Sequence, residues 1–309
     1  MRHDTLGLNV YQEQGAFNPL RDNSFFFHTH AFVSYNQSLR SYCWTLETSE
    51  GEAIGRICFT WQGKVAVSLS RSSFGSFELG ENVQEGQLSF FVDQLLHQLE
   101  TLGFKQVRIV SFPGAYHVSH FNIINKVLCE FGFKVIERHP NHYLPVSNQV
   151  FTSLVNADER RYLNRAKKLG FNFRQLDIQF LPQVYKLIYS SRQKKGYTVS
   201  MPYEDLEQTI LTFPDRYLIF GLFQQSQMIG SSVCVKVNQG ILYDFYHGDD
   251  LNFRKHSPVV PLLEGIYNYA LRENYKLLDL GTSIEEGVYA FKKNLGAKAS
   301  EKIIFERSI

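Results

Sequence analysis

The chain has 309 residues, of which 44% are hydrophobic and 20% charged, with a formal net charge of +2. That length suits two domains of roughly 100–200 residues each, and no apolar run approaches the ~20 residues that a membrane-spanning helix requires. So small a net charge creates no global field for nucleic acid, and the opening MRHDTLGLNVYQEQG has no apolar segment followed by a small-residue cleavage site, so no secretory signal is expected and the cytoplasm is the default compartment.

In chain order, FFFHTHAF (25–32) comes first, with His28 and His30 expected on one strand face. YCWTLET, AIGRICFTW and KVAVSLSRS read as three strands, being β-branched and aromatic runs between polar or glycine turns. QLSFFVDQLLHQLETLG then reads as a helix feeding the strand QVRIVSF, and His117 to Phe131 as a second helix stopped by Gly132 before the strand FKVIER. Residues 147–175 carry ADERRYLNRAKKLG, a basic helix ended by Gly170.

The second half repeats this order. Residues 216–225, 228–237 and 241–248 form an expected antiparallel meander, and Ser257 and Pro258 read as a helix cap followed by proline at the first helical position. Leu262, Leu263, Ile266, Tyr267 and Ala270 recur at helical spacing, and the helix leads into KLLDLG. A short helix over about 285–295 ends at Gly296, suited to a left-handed cap, before the strand KIIFER. Seven elements in one order, with FGFKVIER opposite LGAKASEKIIFER, indicate an internal duplication.

A meander, crossover helix, parallel strand, helix and last strand resembles the GNAT acyltransferase fold, and its duplication resembles the Fem-type (FemAB-like) tandem branch. The resemblance covers most of the chain and rests on LLDLGTSIEEGVYAFKKNLGA (277–297) and RRYLNRAKKLG. It implies an α/β (α+β) chain of two GNAT-like domains, each a mixed, mostly antiparallel sheet flanked by helices. The expected boundaries are 1–146 for the first domain, 147–175 for a basic linker helix, and 176–309 for the donor-binding half. The implied activity is N-acyl transfer from acyl-coenzyme A or aminoacyl-tRNA to an amine, for instance on a cell-envelope precursor. A noncatalytic binding protein on the same scaffold is the alternative, because a fold alone does not fix function.

The resemblance aligns Lys292 with the lysine of the Fem-type FK motif, with Phe291 before it, and implies donor handling and charge stabilisation there. An ammonium beside a thioester or ester can stabilise the developing oxyanion, and Lys293 reads as a bystander. Splayed parallel strands, here ILYDFYH and KLLDLG, would leave backbone donors facing the same carbonyl. Asp279, Tyr243, Glu285 and Glu286 are base or relay candidates for the amine proton.

Arg254, Lys255, His256 and Ser257 stand before the helix starting at Pro258 and form a candidate phosphate cradle. GNAT enzymes that bind coenzyme A place an Arg or Gln before a glycine-rich turn, whereas RKHSPV keeps the Arg and has no glycine. Arg161, Arg165 and Lys168 share a helix face that can bind phosphates of a sugar-peptide or a tRNA. Arg71, Ser73 and Gly75 follow the corresponding strand of the first half, where the Fem-type resemblance implies an acceptor platform and the helix start ENVQEGQ is acidic, unlike a donor site.

The four cysteines, Cys43, Cys58, Cys129 and Cys234, lack metal spacing and read as buried thiols, with no disulfide framework expected. His28 with His30, and His117 with His120, have legitimate ligand spacings but no third ligand, so no metal is expected. The 26 Phe and 17 Tyr read as core. No phosphate-binding Walker loop, dinucleotide fingerprint or serine nucleophile elbow is present.

Overall fold

A computed structural model describes residues 9–13, 20, 24–35 and 41–309. Most of the leading segment read for targeting, residues 1–8 and 14–15, lies outside the described residues. In chain order the elements are β1 (Asn9–Glu13), α1 (His30–Tyr35), β2 (Ser41–Glu47), β3 (Ala53–Gln62), β4 (Val65–Ser68), β5 (Glu78–Leu79), α2 (Glu85–Thr101), β6 (Gln106–Val110), α3 (Val118–Glu130) and β7 (Lys134–Pro145). Then follow α4 (Phe151–Leu154), α5 (Ala157–Lys168), β8 (Phe171–Leu176), α6 (Leu181–Gln193), α7 (Tyr203–Thr212), β9 (Tyr217–Gln224), β10 (Gln227–Lys236), β11 (Ile241–Asp249), α8 (Val259–Arg272), β12 (Leu277–Thr282), α9 (Glu286–Asn294) and β13 (Lys298–Ser308).

Two compact units result, one of residues 1–140 with 300–309, the other of residues 141–299. The last strand, expected in the second domain, therefore belongs to the first unit, because it pairs antiparallel with β6 from Ile304↔Val110 to Ser308↔Gln106. Conversely, residues 141–145 of β7 belong to the second unit, where they pair antiparallel with β12. Each unit takes its closing strand from the other half of the sequence.

The two units follow one plan. In the first, β1, β2, β3 and β4 pair antiparallel in that order and β4 pairs parallel with β6 through the crossover helix α2. In the second, β8, β9, β10 and β11 pair antiparallel and β11 pairs parallel with β12 through α8. In each unit the strand pairing is mixed and mostly antiparallel with helical flanks, the expected fold class. The α8 residues at helical spacing form the core of the second unit: Leu262, Ile266, Tyr267 and Ala270 have no exposed surface, and Leu278 of β12 and Phe220 of β9 join the same cluster.

Positive φ marks the expected helix stops at Gly132, Gly170 and Gly296. Three local expectations fail. Residues 26–28 form a 3-10 turn and 30–35 a helix, so His28 and His30 do not share a strand face. The strand expected over 64–72 ends at Ser68, because Leu69 takes a left-handed φ of 45°. Cys43 and Cys58 are not separate thiols: they are directly opposite on β2 and β3 and are joined as a disulfide. Cys129 is exposed, leaving Cys234 as the buried thiol. Among the described residues no group of three or more His, Cys, Asp or Glu is arranged to hold a metal ion, and no helix is long and apolar enough to cross a membrane.

In the first unit, β4 and β6 pair only from Val65↔Gln106 to Val67↔Arg108. Beyond that point the Ser68 hydroxyl accepts the Val110 N–H at 2.9 Å, and the Gly75 N–H donates to the Val110 carbonyl at 3.1 Å. Chain 69–77 thus fills the space where the two parallel strands would part. Phe74 of this segment packs edge-on against Phe25 and Phe27 and beside Phe112, so the aromatic residues here are core. A Cβ on Gly75 would lie 2.3 Å from the Ser68 carbonyl oxygen, a clash with backbone that no rotamer relieves. Gly75→Ala is expected to cost about 1–3 kcal/mol, read as a lower urea midpoint with an unchanged m-value.

Candidate active site

In the second unit the parallel strands do part. β11 and β12 are paired only at Ile241↔Leu277, Leu242↔Leu278 and Tyr243↔Asp279, while β11 continues to Asp249. The cause lies in LDLG. The Asp279 carboxylate accepts the Gly281 N–H at 2.8 Å, Gly281 takes a left-handed φ of 77°, and a register shift between Asp279 and Gly281 turns β12 along β7. Backbone groups of β11 beyond Tyr243 therefore have no strand partner on that side among the described residues.

Lys292 holds this turn. It projects from α9, is 5% exposed, and donates from Nζ to the Gly281 carbonyl at 2.9 Å and the Thr282 carbonyl at 2.8 Å. A surface lysine is thereby ruled out for Lys292, whereas Lys293 is exposed. Burial pushes the Lys292 ammonium down to about 8, against the pull of Asp279 and Asp244, and the Arg192 charge adds to the lowering. Two of its three N–H donors are used by the carbonyls, so one remains for an incoming oxygen. Nearby, His142 is buried with its Nδ1 2.9 Å from the Ser283 hydroxyl, and burial, helped by the Lys292 charge, lowers its pKa.

The expected base candidates fare unequally. Asp279 does not point away from the core: it is 2% exposed, accepts from Asn141 Nδ2 at 2.7 Å as well as from Gly281, and so shapes the strand exit. Tyr243 is half-buried, its ring 5.7 Å from that of Phe245. Glu285 and Glu286 are exposed at the start of α9, with the Glu285 carboxylate accepting from the Tyr197 hydroxyl. Phe291 packs against the core of the unit.

A carboxylate–imidazole pair that sequence reading missed lies on β11. Asp244 has no exposed side-chain surface and accepts from the Ser232 hydroxyl at 2.6 Å, while His247 Nδ1 sits 2.6 Å from its other oxygen. Burial raises the Asp244 carboxyl, but His247, the Ser232 hydroxyl and Lys292 together outweigh it and hold the group below its usual range. In a regular strand residues 244 and 247 face opposite ways. Here the register jumps from Cys234↔Asp244 to Val233↔Tyr246, making Phe245 an extra residue, so Asp244 and His247 share the face of Cys234 and Ser232. No periodicity argument exposes such a bulge. The only signal was the oddity of an Asp and a His inside an aromatic strand.

At the start of α8 the expected cap is corrected. Ser257 has φ 48° and ends a 3-10 turn over Leu251–His256; its side chain caps nothing, and Pro258 occupies the cap position. Pro258 and Pro261 carry no N–H and the Val260 N–H bonds to the Ser257 carbonyl, so Val259 holds the remaining amide of this opening turn. The backbone is thus poor in donors for an anion. The side chains compensate: Arg165 of α5 donates to the Lys255 carbonyl at 3.2 Å, and burial, with the charges of Lys255 and Arg165, lowers the His256 pKa. Arg254 is half exposed, its Nε 3.7 Å from Asp249. Arg161 and Lys168 remain exposed on α5, Arg161 paired with Asp158. In the first unit Arg71 is exposed, the Ser73 carbonyl accepts from Lys302, and Gly75 closes the strand gap.

No protein-family model matches the chain, and no curated protein matches it in sequence. Solved structures do match. FemX is similar over 93% of both chains with a TM-score of 0.72 at 13% identity. L-PGS from Bacillus licheniformis matches 84% of this chain and 82% of its own with a TM-score of 0.55 at 11% identity. A tandem GNAT protein from the clavulanic acid biosynthesis pathway matches 87% of this chain and 82% of its own with a TM-score of 0.52 at 11% identity.

Lys292 gives a measurable pH dependence. Between pH about 8 and 10.5 the unfolded chain holds this proton more firmly than the folded one. Stability therefore rises with pH across that window, and the burial penalty, on the order of 3 kcal/mol, is felt in full below it. Urea unfolding from pH 7.5 upward should show that slope in the wild type and lose it in Lys292→Met. The expected resemblance holds at the level of architecture: the chain has the fold shared by FemX and the tandem GNAT proteins.

Proposed function

We propose that the chain is an N-acyltransferase that moves an acyl or aminoacyl group from an activated donor, acyl-coenzyme A or aminoacyl-tRNA, to an amine, with a cell-envelope precursor or a related cytoplasmic metabolite as acceptor. The observation that carries this reading is the parting of β11 and β12 at Tyr243↔Asp279 with the buried Lys292 ammonium fixed at the exit. A donor carbonyl entering the gap would find unpaired backbone groups of β11 and positive potential from Lys292, and both stabilise a developing oxyanion. Arg165, Arg254 and Lys255 would take the donor's phosphates at the head of α8. The first unit, its corresponding gap filled by Gly75 and Ser68, would serve as the acceptor platform in a duplicated scaffold.

A noncatalytic binding protein is the second reading, favoured by the depth of Lys292, whose ammonium rests on carbonyls and does not stand in open solvent. The two separate by experiment. Calorimetry with acetyl-coenzyme A and with alanyl-tRNA should show binding of one, and an amine panel should then yield transfer; binding without transfer favours the second reading, and no binding of either donor rejects the first. Lys292→Ala should lower turnover roughly 10²–10³-fold and also lower stability by about 1–3 kcal/mol, because the buried Gly281 carbonyl and the partly buried Thr282 carbonyl lose their donor. Unchanged turnover in that variant removes Lys292 from the chemistry.

A further inference from the structure

We propose that His247, oriented by Asp244, is the base that takes the proton from the attacking amine; this rests on the acyl-transfer reading above. The argument is geometric. Ser232 is directly opposite His247 in the β10–β11 register and Cys234 directly opposite Asp244, so all four share one face of the sheet. Asp244 is ionised and fully buried, with one oxygen satisfied by Ser232 at 2.6 Å and the other by His247 Nδ1 at 2.6 Å. An ionised carboxylate can only accept, so Nδ1 is the protonated nitrogen of this contact, and in the neutral imidazole Nε2 keeps its lone pair.

That lone pair is the available one. The His247 side chain is 27% exposed, and it stands on the part of β11 that runs beyond the last β12 partner, Tyr243. Lys292 holds the carbonyls of Gly281 and Thr282 just past Asp279, the last β12 residue paired with β11, and His247 lies on β11 beyond that same pair, so the cation and the imidazole flank one strand gap. Of the rival carboxylates, Asp279 is committed to Asn141 and Gly281 and Glu285 to Tyr197, and Glu286 is exposed at the start of α9.

The step balances without a further reactant. The amine nitrogen forms a bond to the donor carbonyl carbon as its N–H proton passes to His247 Nε2, and the carbonyl oxygen becomes an oxyanion near Lys292. The intermediate collapses with cleavage of the C–S bond of a thioester or the C–O bond of an ester. The imidazolium returns its proton to the departing sulfur or oxygen. Asp244 touches no reacting atom and is a positioning residue.

Two acceptors test the assignment, glycinamide and hydroxylamine, each of which must lose an N–H proton as its bond to the carbonyl carbon forms. In His247→Gln, kcat should fall roughly 10²–10⁴-fold with both, with KM and donor affinity unchanged, and added imidazole should restore part of the loss. A wild-type kcat with either amine in the variant, or a loss that follows an equal loss of donor affinity, overturns the base assignment and leaves acyl transfer standing. A wild-type protein that acylates neither amine overturns both. Independently, ¹⁵N shifts of labelled histidine should show His247 protonated at Nδ1 in the wild type and shifted toward Nε2–H in Asp244→Asn; an Nε2–H imidazole in the wild type overturns the proposal.

Discussion

The contact of the Lys292 ammonium with the carbonyls of Gly281 and Thr282 is the constraint on which the second unit's site depends. Two parallel strands pair by default, and their separation needs something to satisfy the backbone that pairing would otherwise satisfy. β12 achieves this in three linked steps. Asp279 captures the Gly281 N–H, Gly281 enters the left-handed region, and Lys292 takes up the carbonyls that the turn exposes. Burying an ammonium is costly, and its pKa is lowered to about 8 even against the pull of the neighbouring carboxylates. Hydrogen bonds and the charges of Asp279 and Asp244 offset enough of it to keep the group in place.

The first unit shows what the same topology does without that clamp. Its parallel strands, β4 and β6, also stop pairing early, but the Ser68 hydroxyl and the Gly75 N–H complete the backbone of Val110. Phe74 then seals the segment against Phe25 and Phe112. One plan therefore has two outcomes, decided by whether a buried side chain on the following helix or a returning loop satisfies the end of the central strand. Fold similarity to FemX or to a tandem GNAT protein carries no information on this point, since it is settled by single hydrogen bonds.

Much of the architecture was legible because its signals are local. The helical spacing from Leu262 to Ala270, the three aromatic strands of the meander and the glycines at 132, 170 and 296 each express a preference of a few neighbouring residues. Lys292 was legible only through resemblance, and its depth was not, since nothing in FKKN distinguishes the buried lysine from the exposed one beside it. What escaped is non-local or depends on register. The closing strand β13 pairs with β6, about 200 residues upstream, and Cys43 meets Cys58 only once β2 and β3 are in register. Asp244 and His247 share a face only because Phe245 is an extra residue, and Ser257 takes a left-handed φ usually left to glycine.

The start of α8 carries this lesson into the choice of donor. With no glycine in RKHSPV, bulk at Ser257 and Pro258 hinders the approach of a pyrophosphate to the backbone. The structure supplies a second, stronger obstacle: Ser257 already makes the left-handed turn, yet Pro258 and Pro261 bring no N–H and Ser257 itself occupies the Val260 amide. A helix end exerts its pull on an anion largely through free amides, so this one has little to give. The positive charge nearby comes instead from the exposed side chains of Arg165, Arg254 and Lys255. If the proposed donor phosphates bind there, such a site would select for charge more than for the compact geometry of one pyrophosphate, because of the proline pair at 258 and 261.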